Sequence, residues 1–339
     1  MGDSLPLEQE LERRSKDEAD AEDFWHRYNA MKSHLSAEYY RWVQANCPYY
    51  TDHGEQHIRA VIEAAGSLLN LQLNQTHNPT LLSSLDIFLI LSGILWHDVG
   101  LVYSRMQHEN VAKITEKIKT LGFPSPETHR IVNEISLAHT GSDGLNKPRE
   151  SEDCATPNKT YTVRPKALAA LVRFADEISE NHSRVSSQIL DKVPEKQRVF
   201  WEYANCVSAS RADPARGFVR ITIALQLDRA ASTFDSDEFP SRAPRGKISL
   251  IEYAICRLEK MNNERAYCAR EFLAYSPIRQ IIANLTILKG VDRVGGYEVE
   301  LTLGDFGLEP NTYPEIPLFK PFFNRNPTWD PKKIRSVTP

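Results

Sequence analysis

The chain has 339 residues, a length that suits two domains better than one. Its formal charge of −4 and isoelectric point near 6.2 argue against a nucleic-acid coat or a membrane-surface protein, because both classes bind through clustered basic charge. Five scattered cysteines without CxxC spacing and a charged N-terminus without a signal core lead us to expect a cytoplasmic protein with no disulfide framework, zinc ribbon or membrane partner.

The first part of the chain is predicted to be helical. Residues 1–22 form a polar N-terminal lead, and residues 23–212 are expected to form a helical domain. Apolar residues recur at spacings of three and four in "SAEYYRWVQAN" and "EQHIRAVIEAAGSLLNL". Residues 85–96 are apolar on nearly every side, which predicts a helix buried in the core. The apolar run at 87–96 is too short to span a bilayer.

A second helical stretch follows, with a polar insert inside it. In "PSPETHRIVNEISLAHTG", Ser125 is a suitable N-cap, Pro126 suits the first helical position, and Gly141 lies just past the end. Residues 140–165 are rich in Pro, Asn, Ser and charge, which predicts a surface insert. The stretch "KALAALVRFADEISENH" returns to a helical pattern.

The pattern of apolar and polar residues changes after residue 212. Residues 213–310 predict an α/β extension of strand, helix, strand and strand, carried by "FVRITIALQL", "ISLIEYAICRLEKMNNERAYCAREFL", "RQIIANLTIL" and "YEVELTLGD". Residues 311–339 are rich in Pro and aromatic residues, which favours an extended tail. The extension and tail could serve a homo-oligomer or dock a partner protein.

The stretch "ILWHDVG" carries the first chemical signal. Core positions rarely hold an imidazole beside a carboxylate, because a buried charge needs a partner or a metal. His97 and Asp98 could therefore be an ion pair or cap, or they could be metal ligands. Ligands in helical bundles come from facing helices, and further His and Asp residues occur on the other predicted helices.

These segments together resemble the HD superfamily of metal-dependent phosphohydrolases. The stretch "YTDHGEQHIRAV" is similar to the first helix of that family, "WHDVG" to its His-Asp pair, and "ALAALVRFADEISENHSR" to its last helix. The insert and this last helix most resemble a branch linked to bacterial conflict and signalling systems. The resemblance implies an HD-type all-helical metal-binding core, and with the small α/β C-terminal extension predicted from the residue pattern we expect a mainly α fold.

The resemblance also implies metal ligands. These are His57, His97, Asp98, His108, His139 and Asp176. Asp98 would bridge to a second ion bound by His108 and His139. Imidazole and carboxylate ligands suit one or two divalent transition ions (Mn, Fe, Co, Ni or Zn), with Mg possible. Two such ions can clamp a phosphate and activate water, which predicts hydrolysis of a phosphate ester of a nucleotide or short oligonucleotide by a phosphodiesterase, phosphomonoesterase or nuclease.

Further residues are predicted around the metals. The catalytic set is His97, Asp98, Arg184 and His53, where His53 lies one turn before His57 and either orients a phosphate or packs. Because Arg binds phosphate through two donors, we predict four substrate-binding residues. They are Arg105, Lys113, Arg173 and Arg184. The sequence does not distinguish the candidates for the general acid, which are Glu55, Glu109 and Glu177.

Two other functions stay open at this point. Some HD relatives are di-iron oxygenases, which would use the same ligands for a different reaction. Alternatively, the chain is a non-catalytic nucleotide-sensing or partner-binding module.

Overall fold

The computed structural model describes residues 4–18, 23–47, 49–71, 81–103, 122–141, 143–186, 188–235, 247–304 and 319–337. The N-terminal helices in this part are α1 (Pro6–Asp17), α2 (Phe24–Leu35), α3 (Arg41–Asn46), α4 (Glu55–Leu68), α5 (Ser84–Trp96), α6 (Pro126–Leu137) and α7 (Pro165–Glu177). A π-helical turn (Ser36–Tyr40) joins α2 to α3, and a 3-10 helix (Val99–Val102) follows α5.

Helix α5 is the centre of the helical part, as its composition predicts. Every residue from Ser84 to Trp96 is buried, and α1, α2, α4, α6 and α7 pack around it. Ser83 and Asp86 form a capping box that satisfies the first backbone N–H groups of the helix. Gly93 allows a close approach to α6, because a Cβ atom there would lie 2.4 Å from Cγ2 of Ile135.

The stretch Ser84–Val102 is long and apolar enough, by length and composition, to cross a membrane. However, 94% of it is buried inside the protein, as expected for the central helix of a soluble core. The five cysteines are all free and buried.

The remaining elements combine strands and helices. A hairpin of β1 (Glu152–Ala155) and β2 (Thr160–Val163) precedes α7. Helix α8 (Glu195–Cys206) leads into β3 (Val207–Asp213) and β4 (Phe218–Gln226), and α9 (Leu227–Ala230) into β5 (Thr233–Asp235). Then follow β6 (Lys247–Ser249), α10 (Leu250–Phe272), β7 (Gln280–Lys289) and β8 (Asp292–Gly304).

The main sheet has the strand order β3-β4-β7-β8. Strands β4 and β7 are parallel, and the outer pairings are antiparallel, so the sheet is mixed. A parallel pair needs a long crossover, which here includes the 23-residue helix α10. The predicted strand, helix, strand and strand after residue 212 correspond to β4, α10, β7 and β8.

The expectation of a mainly α protein with an all-helical core is wrong, because the described chain contains eight strands in three sheets. Two of them lie in the predicted surface insert, where Cys154, Tyr161 and Val163 are buried and the Tyr161 ring meets the edge of Phe24. One contiguous apolar core joins the helices to the main sheet, and β3 runs across position 212 without a break. Four-residue strands in a polar segment carry too little alternation for a sequence pattern to detect.

The predicted extended tail is also wrong for residues 319–337. These residues form α11 (Phe319–Arg325), a 3-10 helix (Pro327–Trp329) and α12 (Pro331–Val337). Both helical segments after α11 begin at a proline. At the first helical position the N–H group that proline lacks would have no intrahelical partner, so no hydrogen bond is lost. Trp329 is buried between the rings of Tyr297 and Phe322, which anchors the C-terminus to the main sheet.

Candidate metal centre

Four predicted ligands converge at one point in the helical part. His57 lies in the first turn of α4, His97 and Asp98 follow α5, and Asp176 lies in the last turn of α7. The Nε2 atoms of His57 and His97 are 3.1 Å apart, and Asp98 Oδ2 lies 3.3 Å from both. Asp176 Oδ1 lies 3.3 Å from His57 Nε2 and 3.8 Å from His97 Nε2.

These distances fit a bound cation. Metal–ligand bonds of about 2.0–2.2 Å place neighbouring donor atoms about 3.0–3.5 Å apart in tetrahedral or octahedral geometry. Ligand atoms of His57, His97 and Asp176 all lie within 4.8 Å of one another. Two imidazole nitrogens and two carboxylates face one point. Together they present more lone pairs than there are protons on these groups to share between them. The donor set therefore suits a divalent transition ion, whereas Mg²⁺ prefers oxygen ligands.

Backbone carbonyls orient two of the imidazoles. His97 Nδ1 lies 2.8 Å from the Ile94 carbonyl oxygen, and His139 Nδ1 contacts the Ser136 carbonyl oxygen. A carbonyl oxygen only accepts, so each Nδ1 must carry a proton and donate it. In the neutral ring each Nε2 then carries the lone pair that can bind a metal, which is how proteins set the tautomer of a ligating histidine.

The protonation states of His97, Asp98 and Asp176 depend on one another. Burial disfavours the imidazolium form of His97, but the nearby Asp98 and Asp176 carboxylates outweigh burial and raise its pKa to about 9. Burial likewise opposes ionisation of Asp98, whereas the charge of His97 and hydrogen bonds from His57 and His97 hold the Asp98 pKa well below its usual range. Asp176 has a lowered pKa for similar reasons. Both carboxylates are therefore ionised at neutral pH and can bind a cation.

Metal binding should be strongly pH-dependent. With its pKa raised to about 9, His97 holds a proton at pH 7 when no ion is bound, and the ion must displace that proton. Affinity should fall about tenfold for each pH unit below 9, since one proton competes with the ion. Titration calorimetry between pH 6 and 8, in buffers of different ionisation enthalpy, should detect about one proton released per ion. A binding constant independent of pH would contradict the assignment of His97 as a ligand.

A comparison with protein families matches residues 47–239, more than half of the chain, to the family HD-CE. The chain belongs to the HD-CE family. The match agrees with the resemblance to the HD superfamily, whereas the bacterial conflict branch stays a prediction. Comparison with curated proteins and with solved structures gave no significant match. The HD-CE segment contains every residue of the converging ligand set.

A second ion would have ligands within the same HD-CE segment. His139 Nε2 lies 3.7 Å from Asp98 Oδ1, whereas Asp98 Oδ2 faces His57 and His97. Asp98 thus divides its two oxygens between two positions, as a bridging carboxylate would. Burial, reinforced by the positive charge of His97, lowers the pKa of His139 to about 4, which keeps it neutral at pH 7. His108, the other predicted ligand of this ion, lies outside the described residues.

Arg173 does not reach the site as a substrate-binding residue. Its Nε and Nη2 atoms donate to both oxygens of Glu264 on α10, at 2.8 and 2.9 Å. Its Nη1 donates to the carbonyl oxygens of Ala138 and Gly141, at 3.2 and 2.7 Å. The sequence prediction for Arg173 is therefore corrected, because Glu264 and backbone carbonyl oxygens occupy its donors. Arg105 and Lys113 lie outside the described residues.

This arginine instead holds the loop that carries His139. The loop runs from Ala138, the C-cap of α6, to Gly141, whose φ of +79° lies in the left-handed region that favours glycine. Arg173 binds carbonyl oxygens at both ends of that loop. The position of His139 therefore depends on the pairing of α7 with α10.

His53 and Arg184 lie at the edge of the metal centre. His53 lies in the loop before α4 and not on the helix, yet its ring centroid is 5.4 Å from that of His57. Its Nδ1 faces the Thr51 carbonyl oxygen at 2.5 Å, and its Nε2 lies 3.4 Å from Arg184 Nη2. Burial, with the charge of Arg184, lowers the pKa of His53 to about 3, so His53 is neutral at pH 7.

A cavity of about 300 Å³ opens beside these residues. Its described lining comprises Cys47, Tyr50, His53, Asp98, Leu101, His139, Thr140, Asp176, Glu177, Glu180, Arg184, Arg257 and Lys260. The sequence analysis missed Arg257 and Lys260, which α10 contributes from beyond the HD-CE segment. Their spacing of three residues was a signal, because it places two cations one turn apart on a long amphipathic helix. Of the candidate general acids, Glu177 lines this cavity and Glu109 lies outside the described residues.

Proposed function

We propose that this HD-CE protein is a cytoplasmic metal-dependent phosphohydrolase that cleaves a phosphate ester of a nucleotide or short oligonucleotide. The observation that carries the proposal is the convergence of His57, His97, Asp98 and Asp176 beside a cavity whose wall includes three cations. A metal site next to an anion-attracting cavity is what hydrolysis of a phosphate ester requires.

The charge of the cavity supports an anionic substrate. Its carboxylates are Asp98, Asp176, Glu177 and Glu180, and its cations are Arg184, Arg257 and Lys260. These groups give the cavity a small net negative charge. One divalent ion at the metal centre would make the net charge of the cavity positive, and a second ion would make it more positive. The cavity would then attract phosphate groups, whereas an uncharged ester would gain nothing from these cations.

Each group would have a distinct part in the reaction. His57, His97, Asp98 and Asp176 would hold an ion, which supplies Lewis-acid stabilisation of phosphoryl oxygens and lowers the pKa of water toward neutrality. Arg184 is held by the Asp52 carbonyl oxygen at 3.0 Å and by Glu180 at 3.3 Å, so its guanidinium has a defined orientation toward the cavity. Neutral His53 beside it can accept a hydrogen bond at Nε2.

The size of the cavity favours a small substrate. A volume of about 300 Å³ is at the lower end of the range for small-molecule pockets. A nucleotide is therefore a better fit than a long nucleic acid, which also agrees with the net charge of −4.

The experiment is a panel of nucleotides, cyclic dinucleotides and short RNA or DNA, each assayed with Mn²⁺, Co²⁺, Ni²⁺, Zn²⁺ and Mg²⁺. We expect phosphate-ester cleavage with at least one transition ion, including under anaerobic conditions. Elemental analysis should find one or two transition ions per chain. Obligatory oxygen uptake would support an oxygenase instead, and tight nucleotide binding without turnover in any metal would support a sensing module.

A further inference from the structure

We propose that helix α10, which lies outside the HD-CE segment, supplies the phosphate-binding part of the same cavity through Arg257 and Lys260. The ligand is a phosphate group of the substrate, so this inference rests on the proposed function for the identity of the ester. The C-terminal α/β part would then complete the site and would not be only a structural extension.

The two cations share one face of α10. Arg257 and Lys260 are three residues apart, which places them about one helical turn from each other. Both line the cavity that also contains Asp98, His139 and Asp176. They therefore lie on the wall of the same cavity as these metal-centre residues.

The simplest alternative is that both cations only neutralise Glu177, the residue after Asp176. Arg257 Nη2 lies 3.2 Å from Glu177 Oε1, and Lys260 Nζ donates to Glu177 Oε2. Glu177 carries one charge and does not by itself balance both cations, and Glu180 on the same wall is paired with Arg184. Arg257 Nε is also buried and has no hydrogen-bond partner among the described residues. An uncompensated buried donor of this kind suits an anionic ligand.

The subsite is held rigidly relative to the metal centre. Helix α10 packs along α7, the helix that carries Asp176 and Glu177. The buried Arg173–Glu264 pair joins the two helices further along, and the guanidinium of Arg257 lies 5.7 Å from the ring centroid of Tyr203. Side chains fixed in this way lose little freedom when a ligand binds, which favours recognition of a phosphate at a defined place.

The test measures binding of inorganic phosphate to the metal-loaded full-length protein by titration calorimetry. Arg257→Gln and Lys260→Gln should each weaken binding by about tenfold or more, because each removes a charge-assisted hydrogen bond. Metal content, measured by elemental analysis, should equal that of the wild type. Arg270→Gln is the matched control, since Arg270 lies on α10 but does not line the cavity. It should leave phosphate binding unchanged.

Two further variants keep the test decisive. Lys260 is 39% exposed at its side chain, so Lys260→Gln should fold even if Arg257→Gln does not. Glu177→Gln should tighten phosphate binding, because it removes the carboxylate that competes for both cations. Unchanged phosphate affinity in both cation variants, or loss of metal from folded Lys260→Gln protein, would overturn the inference. If phosphate binding weakens as expected but no ester is cleaved, the subsite stands and the proposed hydrolysis fails.

Discussion

Asp98→Asn should lower phosphate-ester hydrolysis by roughly 10³-fold or more, since metal ions contribute several kcal/mol to such reactions. Asp98 Oδ2 lies 3.3 Å from both His57 Nε2 and His97 Nε2, and Oδ1 lies 3.7 Å from His139 Nε2. An amide of the same shape has no charge and only one oxygen, so it cannot serve both positions. The variant should also bind fewer ions, as elemental analysis will measure.

The control for this prediction is His26→Ala. His26 is exposed on α2 and contacts Asp23, far in sequence from the metal ligands. It should retain wild-type metal content and turnover. Equal hydrolysis by wild type and Asp98→Asn would show that the activity does not come from this centre.

Glu264→Gln should lower the free energy of unfolding by about 3–5 kcal/mol, the usual cost of removing one partner from a buried ion pair. Glu264 accepts two hydrogen bonds from Arg173, and both side chains are nearly inaccessible. The remaining guanidinium would be a buried charge without its carboxylate, and the carbonyl oxygens of Ala138 and Gly141 that it also contacts carry no compensating charge. Urea-induced unfolding, monitored by circular dichroism, measures the change.

Glu300→Gln is the matched control, because Glu300 pairs with Arg220 on the exposed face of the main sheet. Its loss should cost no more than about 1 kcal/mol. An equal loss of stability in both variants would contradict the distinction between the two pairs.

The double variant Arg173→Met with Glu264→Leu should recover much of the stability but remove the hydrogen bonds that Arg173 donates to the His139 loop. Its content of the second ion should therefore fall.

Local patterns predicted much of the framework correctly. Helix α5 is apolar on nearly every side and is buried, and Ser125 caps α6 as predicted. Alternating residues predicted β4 and β7. Each of these features depends on residues within one turn or one strand, so the sequence of that segment is sufficient.

The sequence by itself also determined which side chains are available to bind a metal. His57, His97, Asp98 and Asp176 lie at or next to the ends of three helices, and the resemblance to the HD superfamily implied that they meet at one metal. Chemistry limited the choice further, because imidazole and carboxylate side chains are seldom buried together without a cation.

Only the tertiary structure decided how the rest of the cavity is built. Arg173 pairs with Glu264, 91 positions away, and Lys260 pairs with Glu177, 83 positions away. A cation in a helix has the same local pattern whether it faces solvent, a buried carboxylate or a cavity. Its role depends on which distant helix packs against it, and that is set by the packing of α10 on α7.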